Sequence, residues 1–123
     1  MNSNIRLGEA GERYACQYLQ RNGYEILQAN FRCKIGEIDL IARDNDTLVF
    51  IEVKTRTGDR YGLPQAAVTR RKKHKLRKTA QLYLLQQGLD LHACLLRFDC
   101  IAIVMTAEHR EPQYFSHIKN IFL

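Results

Sequence analysis

Two short segments of the chain, GEIDLIARD and LVFIEVKTR, carry charged residues inside apolar sequence that is typical of β-strands. Asp39 interrupts the first segment, and Glu52 and Lys54 interrupt the second. Removing a carboxylate from water is costly unless a partner compensates its charge. Two carboxylates beside a lysine suggest a divalent cation such as Mg²⁺, which proteins bind through one or two carboxylates together with waters and substrate phosphates.

The two segments predict a β-hairpin with strands over residues 35–43 and 47–55. The intervening DND sequence supplies residues that favour a tight turn, and we take Asn45 and Asp46 as its two central residues. Because side chains alternate along a strand, this turn determines which charged residues share a face of the sheet.

The predicted register places Asp39 opposite Glu52 and Glu37 opposite Lys54. Directly opposed residues lie on the same face, so the hairpin is expected to gather three carboxylates and one ammonium group. The alternative interpretation is an exposed hairpin face on which Glu37 and Lys54 form an ordinary ion-pair ladder.

Helical and strand-like segments surround this hairpin and must position it. The apolar periodicity predicts helices over residues 4–21 and 65–87, and strands over 24–33 and 96–106. Residues 113–123 are compatible with an edge strand or a short helix. This order predicts one α/β domain over the 123 residues, of the α+β kind, with a mixed sheet and helices packed against it.

Glu12 is a further candidate on the first predicted helix. It lies at the border of the apolar stripe, beside Gly8, Ala15 and Leu19, and can therefore reach over the sheet. The alternative interpretation is an acidic residue near the start of the helix that is favoured by the helix dipole.

The second predicted helix begins with a basic run, RRKKHKLRK, in a chain whose net charge is +6. Such a charge favours a polyanionic partner, either nucleic acid or an anionic membrane surface. Part of the run faces away from the apolar stripe, whereas Lys72 or Lys73 is placed to point toward the charged hairpin. The alternative interpretation is a solvated helix face. The nucleic-acid-binding candidates are Arg70, Arg71, Lys72, Lys73, Lys75 and Lys78.

Other features of the sequence narrow the class of protein. The four cysteines show no zinc-module spacing and are interpreted as reduced structural thiols, and the four histidines as surface or structural residues. No apolar leader and no run of about 18 apolar residues is visible, so we expect a soluble, cytoplasmic protein without a membrane partner.

Several motifs together resemble the YraN family of small bacterial proteins over roughly residues 6–105. They are GEAGERYACQYL, NFRCKIGEIDLIARD, LVFIEVKTR, YGLPQAAV and LRFDCIAIV. The shorter pattern E…GEID…FIEVK resembles the PD-(D/E)xK nuclease superfamily, in particular archaeal Holliday-junction resolvases. This resemblance implies a restriction-endonuclease-like core, with a central mixed β-sheet flanked by helices.

The resemblance also implies roles for individual residues. Asp39 and Glu52 would ligate Mg²⁺ or Mn²⁺, and the carbonyl of Val53 would add a ligand. Lys54 would orient or activate the attacking water or stabilise the developing charge, and Glu12 would reach the metal through a water. The accessory candidates are Glu37, Arg56, Gln65 and Lys73.

Three hypotheses for function follow. The first is a metal-dependent nuclease that acts on DNA, including branched or structured DNA. The second is a nucleic-acid-binding module that has the nuclease fold but little or no turnover. The third, an adaptor on anionic membranes, is disfavoured because no amphipathic helix carries bulky apolar anchors. Symmetric cutting of two strands would require a homodimer, built through the apolar positions 98–104 or the C-terminal edge.

Overall fold

The computed structural model describes residues 3–57, 69–90, 93–106 and 111–122. The described residues form an α+β fold with a five-stranded sheet and two helices. The predicted order of helices and strands is confirmed, and the C-terminal segment forms a strand. The elements are α1 (Ser3–Arg21), β1 (Glu25–Arg32), β2 (Glu37–Asp44), β3 (Thr47–Thr57), α2 (Arg70–Gln86), β4 (Leu95–Met105) and β5 (Pro112–Ile118).

The five strands lie in the order of the chain, and the sheet is mixed as predicted. Strands β3 and β4 are parallel, whereas the other three neighbouring pairs are antiparallel. The parallel pair requires a long crossover, and α2 lies within it. Residues of α1 pack into the core on one face of the sheet, and residues of α2 pack into the core on the other.

Helix α1 packs on the sheet through small and apolar residues. Ala15 and Leu19 are fully buried, and Gly11 lies so close to β3 that a Cβ atom there would overlap the hydroxyl of Thr55. The next residue, Glu12, is half-buried as a result of this close approach. After α1, Gly23 adopts a positive φ of 85°, a conformation that glycine tolerates without steric cost.

Helix α2 begins later than the sequence suggested. Thr69 has extended dihedral angles and caps the helix, because its side chain accepts a hydrogen bond from the backbone N–H of Lys72. The predicted start at residue 65 was therefore wrong, and residues 65–68 lie outside the described residues. Leu76 and Leu84 are buried against the sheet, whereas the basic N-terminal turns extend past the edge of this apolar contact.

The hairpin turn and its register are as predicted near the turn. Asn45 has a positive φ of 54°, and the pairs Asp44–Thr47 and Ile41–Phe50 both occur. The β2–β3 ladder extends as far as Leu40–Ile51, whereas β3 continues alongside β4 to its end at Thr57. The two strands of the hairpin therefore separate just before the charged residues.

Strand β4 is an interior strand, and this overturns one expectation. Residues 98–104 were suggested as a dimer interface, but β4 pairs with β3 on one side and with β5 on the other. Residues 100–103 are fully buried within one chain. The C-terminal edge strand β5 is the remaining candidate. Neither of the two described helices has the length and apolar character needed to cross a membrane.

Candidate functional site

Asp39 lies at the fork where β2 and β3 separate. The predicted ladder pair with Glu52 is replaced by a different contact, because Oδ2 of Asp39 accepts a hydrogen bond from the backbone N–H of Val53 at 2.7 Å. Strict alternation would place Ile38 and Leu40 on one face, yet they pack into opposite cores. The strand is therefore irregular at Asp39, and its carboxylate is held by the backbone of β3.

Glu52 follows Ile51, the last β3 residue of the β2–β3 ladder. It lies two residues after Phe50 and therefore on the same face of the sheet, which is the face covered by α2. Its Oε1 atom is 2.9 Å from Nζ of Lys54 and 3.3 Å from Nζ of Lys72. The side chains of Glu52 and Lys54 are each 13% exposed, whereas that of Lys72 is 42% exposed. The glutamate is thus bound by one lysine of its own strand and by a second lysine of the basic helix.

Glu37 is not opposite Lys54, so that part of the predicted register was wrong. It pairs with Arg32 of β1, and the two side chains form an ion pair of 3.3 Å. Both partners are mostly exposed, and such surface pairs contribute little to stability. Glu37 still lines the same cleft as Glu52 and Lys54.

Two clefts open around the fork, and Lys54 lines both of them. The larger has a volume of 660 Å³ and lies where α1 approaches the sheet. The smaller has a volume of 280 Å³ and lies beside α2. The charged residues of the site therefore line openings on both sides of the fork. The larger cleft includes Glu12, Asp39, Val53, Lys54 and Arg56, and the smaller includes Glu37, Glu52, Lys54, Lys72 and Lys75.

The carboxylates repel one another in this arrangement. Burial, together with the charge of Glu52, raises the pKa of Asp39 to about 7, although the hydrogen bond from Val53 opposes the shift. Burial also raises the pKa of Glu12. A bound cation would relieve both the burial cost and the repulsion, because it favours the ionised form of each carboxylate.

The two lysines differ in their electrostatics. Burial alone would lower the pKa of Lys54, but the neighbouring carboxylate of Glu52 favours the ammonium form and raises this pKa overall. The pKa of Lys72 is lowered by burial and by the neighbouring ammonium group of Lys54. Lys54 is thus the more firmly charged partner of Glu52.

The residues present fit a hard divalent cation of the Mg²⁺ class. In the described part of the chain, no group of three or more His, Cys, Asp or Glu residues is arranged to hold a metal ion. Asp39 and Glu52 lie near enough that the charge of Glu52 raises the pKa of Asp39, and Mg²⁺ is commonly held by one or two carboxylates and several waters. These two residues are therefore the ones that could hold such a cation. The carbonyl of Val53 belongs to the residue that also anchors Asp39.

The structure separates the basic candidates into two groups. Lys72 points into the site and contacts Glu52, and Lys73 is half-buried. The exposed members leave a positively charged helix face next to the smaller cleft. Gln65 lies outside the described residues. The exposed members are Arg70, Arg71, Lys75 and Lys78.

A buried polar network on the α1 face was missed by the sequence analysis. Asp99 is fully buried and accepts hydrogen bonds from Arg97 at 2.9 Å and from His117 at 2.7 Å. The backbone N–H of Asn120 donates to the same carboxylate. The R-x-D spacing in an apolar strand was the available signal, since residues two apart share a face. The network ties β5 to β4 and stabilises the sheet that carries the site.

The chain belongs to the uncharacterised protein family UPF0102, whose sequence profile matches residues 11–103. This membership confirms the resemblance to the YraN family. A UPF0102 protein of Geobacter metallireducens is 49% identical over 119 residues, covering 97% of this chain and 93% of the relative. One of Syntrophus aciditrophicus is 47% identical over 108 residues, covering 88% and 84%. The names of these two relatives state no activity.

Proposed function

We propose that the protein is a metal-dependent nuclease of the PD-(D/E)xK type, which hydrolyses phosphodiester bonds in DNA, including branched or structured DNA. The observation that carries this proposal is the fork at Asp39. There, one buried carboxylate is anchored by Val53, and a second, Glu52, is paired with Lys54. The order of the elements and the mixed sheet are compatible with the restriction-endonuclease-like core that the motif implies.

The proposal assigns Mg²⁺ or Mn²⁺ to Asp39 and Glu52, with the carbonyl of Val53 as a further ligand. A divalent cation at such a site supplies an acidified water and polarises a phosphoryl oxygen. The N–H of Val53 fixes one oxygen of Asp39, so the orientation of this carboxylate is set before any ligand arrives. Pre-organised charges of this kind are effective because they need little reorganisation during the reaction.

Lys54 and Glu12 complete the proposed machinery. The ammonium group of Lys54 lines both clefts and can donate hydrogen bonds to a phosphate oxygen or to a water beside it. Glu12 is half-buried and lines the larger cleft with Asp39, where it can accept a hydrogen bond from a bound water. Arg56 lines the same cleft and can contact a neighbouring phosphate.

The exposed basic face of α2 is the proposed nucleic-acid-binding surface. Its cations can neutralise backbone phosphates and release condensed counterions, a sequence-independent contribution to binding. The face adjoins the cleft that contains Glu52, so DNA bound there lies next to the proposed catalytic residues. A cytoplasmic location is part of this proposal, and it agrees with four free cysteines.

A second candidate function is nucleic-acid binding with little or no turnover. The observation that favours it is the pair of lysines that contact Glu52, because their charges already compensate that of the carboxylate. A binding module of this kind would retain its affinity when divalent cations are chelated, and it would tolerate Lys54→Met.

Cleavage of labelled linear, nicked, flapped and four-way DNA in Mg²⁺ or Mn²⁺ tests the proposal. We expect cleavage of at least one substrate and a loss of about 100-fold or more in Glu52→Gln, since even residues that only support a metal ligand cost 10- to 100-fold. Glu25→Gln is the matched control, because Glu25 is exposed on β1 in a long ion pair with Arg43. Absence of cleavage of every substrate, with binding that persists in EDTA, would contradict the nuclease and support the binding module.

A further inference from the structure

Two ammonium groups share one carboxylate oxygen in the site. Nζ of Lys54 and Nζ of Lys72 both contact Oε1 of Glu52, at 2.9 and 3.3 Å. This oxygen belongs to the same carboxylate that is proposed to ligate a divalent cation. A cation held by Glu52 would lie within a few ångströms of both lysines, and like charges at such distances repel strongly in a partly buried site.

Of the two lysines, Lys72 is the one whose ammonium group can move away from Glu52. Lys54 follows Glu52 on the same strand, and its side chain is only 13% exposed. The side chain of Lys72 is 42% exposed and comes from the first turn of α2, next to the exposed basic face. Its backbone is anchored, because the N–H of Lys72 donates to Oγ1 of Thr69 at 3.2 Å. The ammonium group can therefore change partners while the helix stays in place.

We propose that Lys72 exchanges between two anions: it occupies Glu52 in the metal-free protein, and it moves to a phosphate of the nucleic acid when a divalent cation binds. This inference rests on the proposed function, because it takes Glu52 as a cation ligand and α2 as the phosphate-binding surface. Lys72 then has two effects. It lowers the affinity for the cation when nucleic acid is absent, and it contributes to phosphate binding only when the cation is present.

The two effects are linked thermodynamically. If nucleic acid removes Lys72 from Glu52 and so tightens cation binding, the cation must tighten nucleic-acid binding by the same factor. The exchange thus discourages occupation of the cation site before a substrate phosphate is in reach. Such couplings typically change an affinity by about 5- to 150-fold. Because Lys72 is partly exposed and solvent screens its charge, we expect a change toward the lower end of this range, at about tenfold.

The first experiment measures Mn²⁺ affinity by electron paramagnetic resonance without nucleic acid. We expect Lys72→Met to bind Mn²⁺ about tenfold more tightly than the wild type. Lys119→Met is the matched control for the loss of one positive charge, because Lys119 is exposed and lies near Tyr18 on the other face of the sheet. Lys119→Met should change the affinity for Mn²⁺ by less than about twofold. Glu52→Gln should lose most of the Mn²⁺ binding.

The second experiment measures binding of a fluorescein-labelled 20-base-pair DNA by anisotropy, in EDTA and in Ca²⁺, which takes similar hard oxygen ligands. We expect Lys72→Met to weaken binding by less than about twofold in EDTA and by about fivefold or more in Ca²⁺. Lys78→Met is the comparison on the same helix. Lys78 is exposed and has no role in the exchange, so its loss should weaken binding equally in both conditions.

The outcomes separate this inference from the proposed function. If the wild type binds Mn²⁺ and cleaves DNA, but Lys72→Met shows unchanged or weaker Mn²⁺ affinity, the exchange is refuted and the nuclease stands. Equal loss of DNA binding in EDTA and Ca²⁺ also refutes the exchange. If neither the wild type nor any variant binds Mn²⁺, the cation site is refuted, and the exchange fails with it.

Discussion

Replacing Asp39 by asparagine should stabilise the protein at neutral pH, and the gain should shrink as the pH falls. Asparagine has almost the same shape, and its side-chain oxygen can still accept the hydrogen bond from the N–H of Val53. The substitution therefore removes the charge of Asp39 while it keeps the contact that holds the fork together. The proximity of Glu52 and the burial of Asp39 are what make this charge costly.

The direction of this pH dependence follows from the difference in proton binding by Asp39 between the folded and unfolded states. The pKa of Asp39 is about 7 in the folded protein, against an ordinary value of 3.8. Well below pH 3.8 the carboxyl group is protonated in both states and contributes nothing. Between these two values the folded state retains the proton and the unfolded state does not, so this group lowers the free energy of unfolding as the pH rises. Above about pH 7 the penalty is constant.

The size of the effect follows from the difference between the two pKa values. About three units at 1.36 kcal/mol each give an upper bound of about 4 kcal/mol. Asp39 lines an open cleft, where solvent screens the charge, so we expect the gain of Asp39→Asn to be about 2 kcal/mol at pH 8.

Urea unfolding of both proteins at pH 4.5, 6, 7 and 8 measures this gain. Contributions from other groups, such as the fully buried Asp99, cancel in the difference between the two proteins. Asp46→Asn in the exposed β2–β3 turn controls for the loss of one negative charge. A difference that stays flat over this range, or that falls as the pH rises, would refute the assignment of a strained carboxylate at the fork. Saturating Mn²⁺ should stabilise the wild type and leave Asp39→Asn almost unchanged.

Three further predictions concern the frame and the binding surface. Gly11→Ala should lower the free energy of unfolding by about 2 kcal/mol, since its Cβ would overlap the hydroxyl of Thr55. Gly8→Ala, in open space on the same helix, should not destabilise the protein. Urea unfolding of both variants measures this difference, and equal effects would contradict the close packing at Gly11. Asp99→Leu should cost about 3 kcal/mol or more in the same assay, because it removes the fully buried carboxylate that binds Arg97 and His117. A loss below about 1 kcal/mol would contradict a structural role. Lys78→Met should reduce the slope of log affinity for DNA against log salt concentration by about one, and an unchanged slope would exclude Lys78 from phosphate contact.

The candidate site was largely predictable because its central residues are close in sequence. Asp39, Glu52 and Lys54 belong to one hairpin, and the Asn45 turn brings their two strands together, although strict strand alternation is broken at Asp39. The same kind of local periodicity, applied to α2, predicted that Lys72 or Lys73 would point toward the site, and the structure shows that Lys72 contacts Glu52. Such short-range patterns depend on backbone geometry alone and need no knowledge of tertiary packing.

The contacts that sequence analysis missed join residues that are distant in the chain. The hairpin ladder ends at Leu40–Ile51, and Glu37 pairs with Arg32 of β1 and not with Lys54. Asp99 and His117 meet only because β5 folds back along β4. No local periodicity encodes such pairings.

The sequence by itself therefore determined which charged side chains occur inside apolar strands, and that a basic helix follows them. Only the tertiary structure decided which partner each charge takes. Asp39 binds the backbone of β3, and Glu52 is shared between Lys54 and Lys72. The physical reason is that burial and charge pairing depend on distances of a few ångströms between separate elements, and these distances exist only after both helices have packed on the sheet.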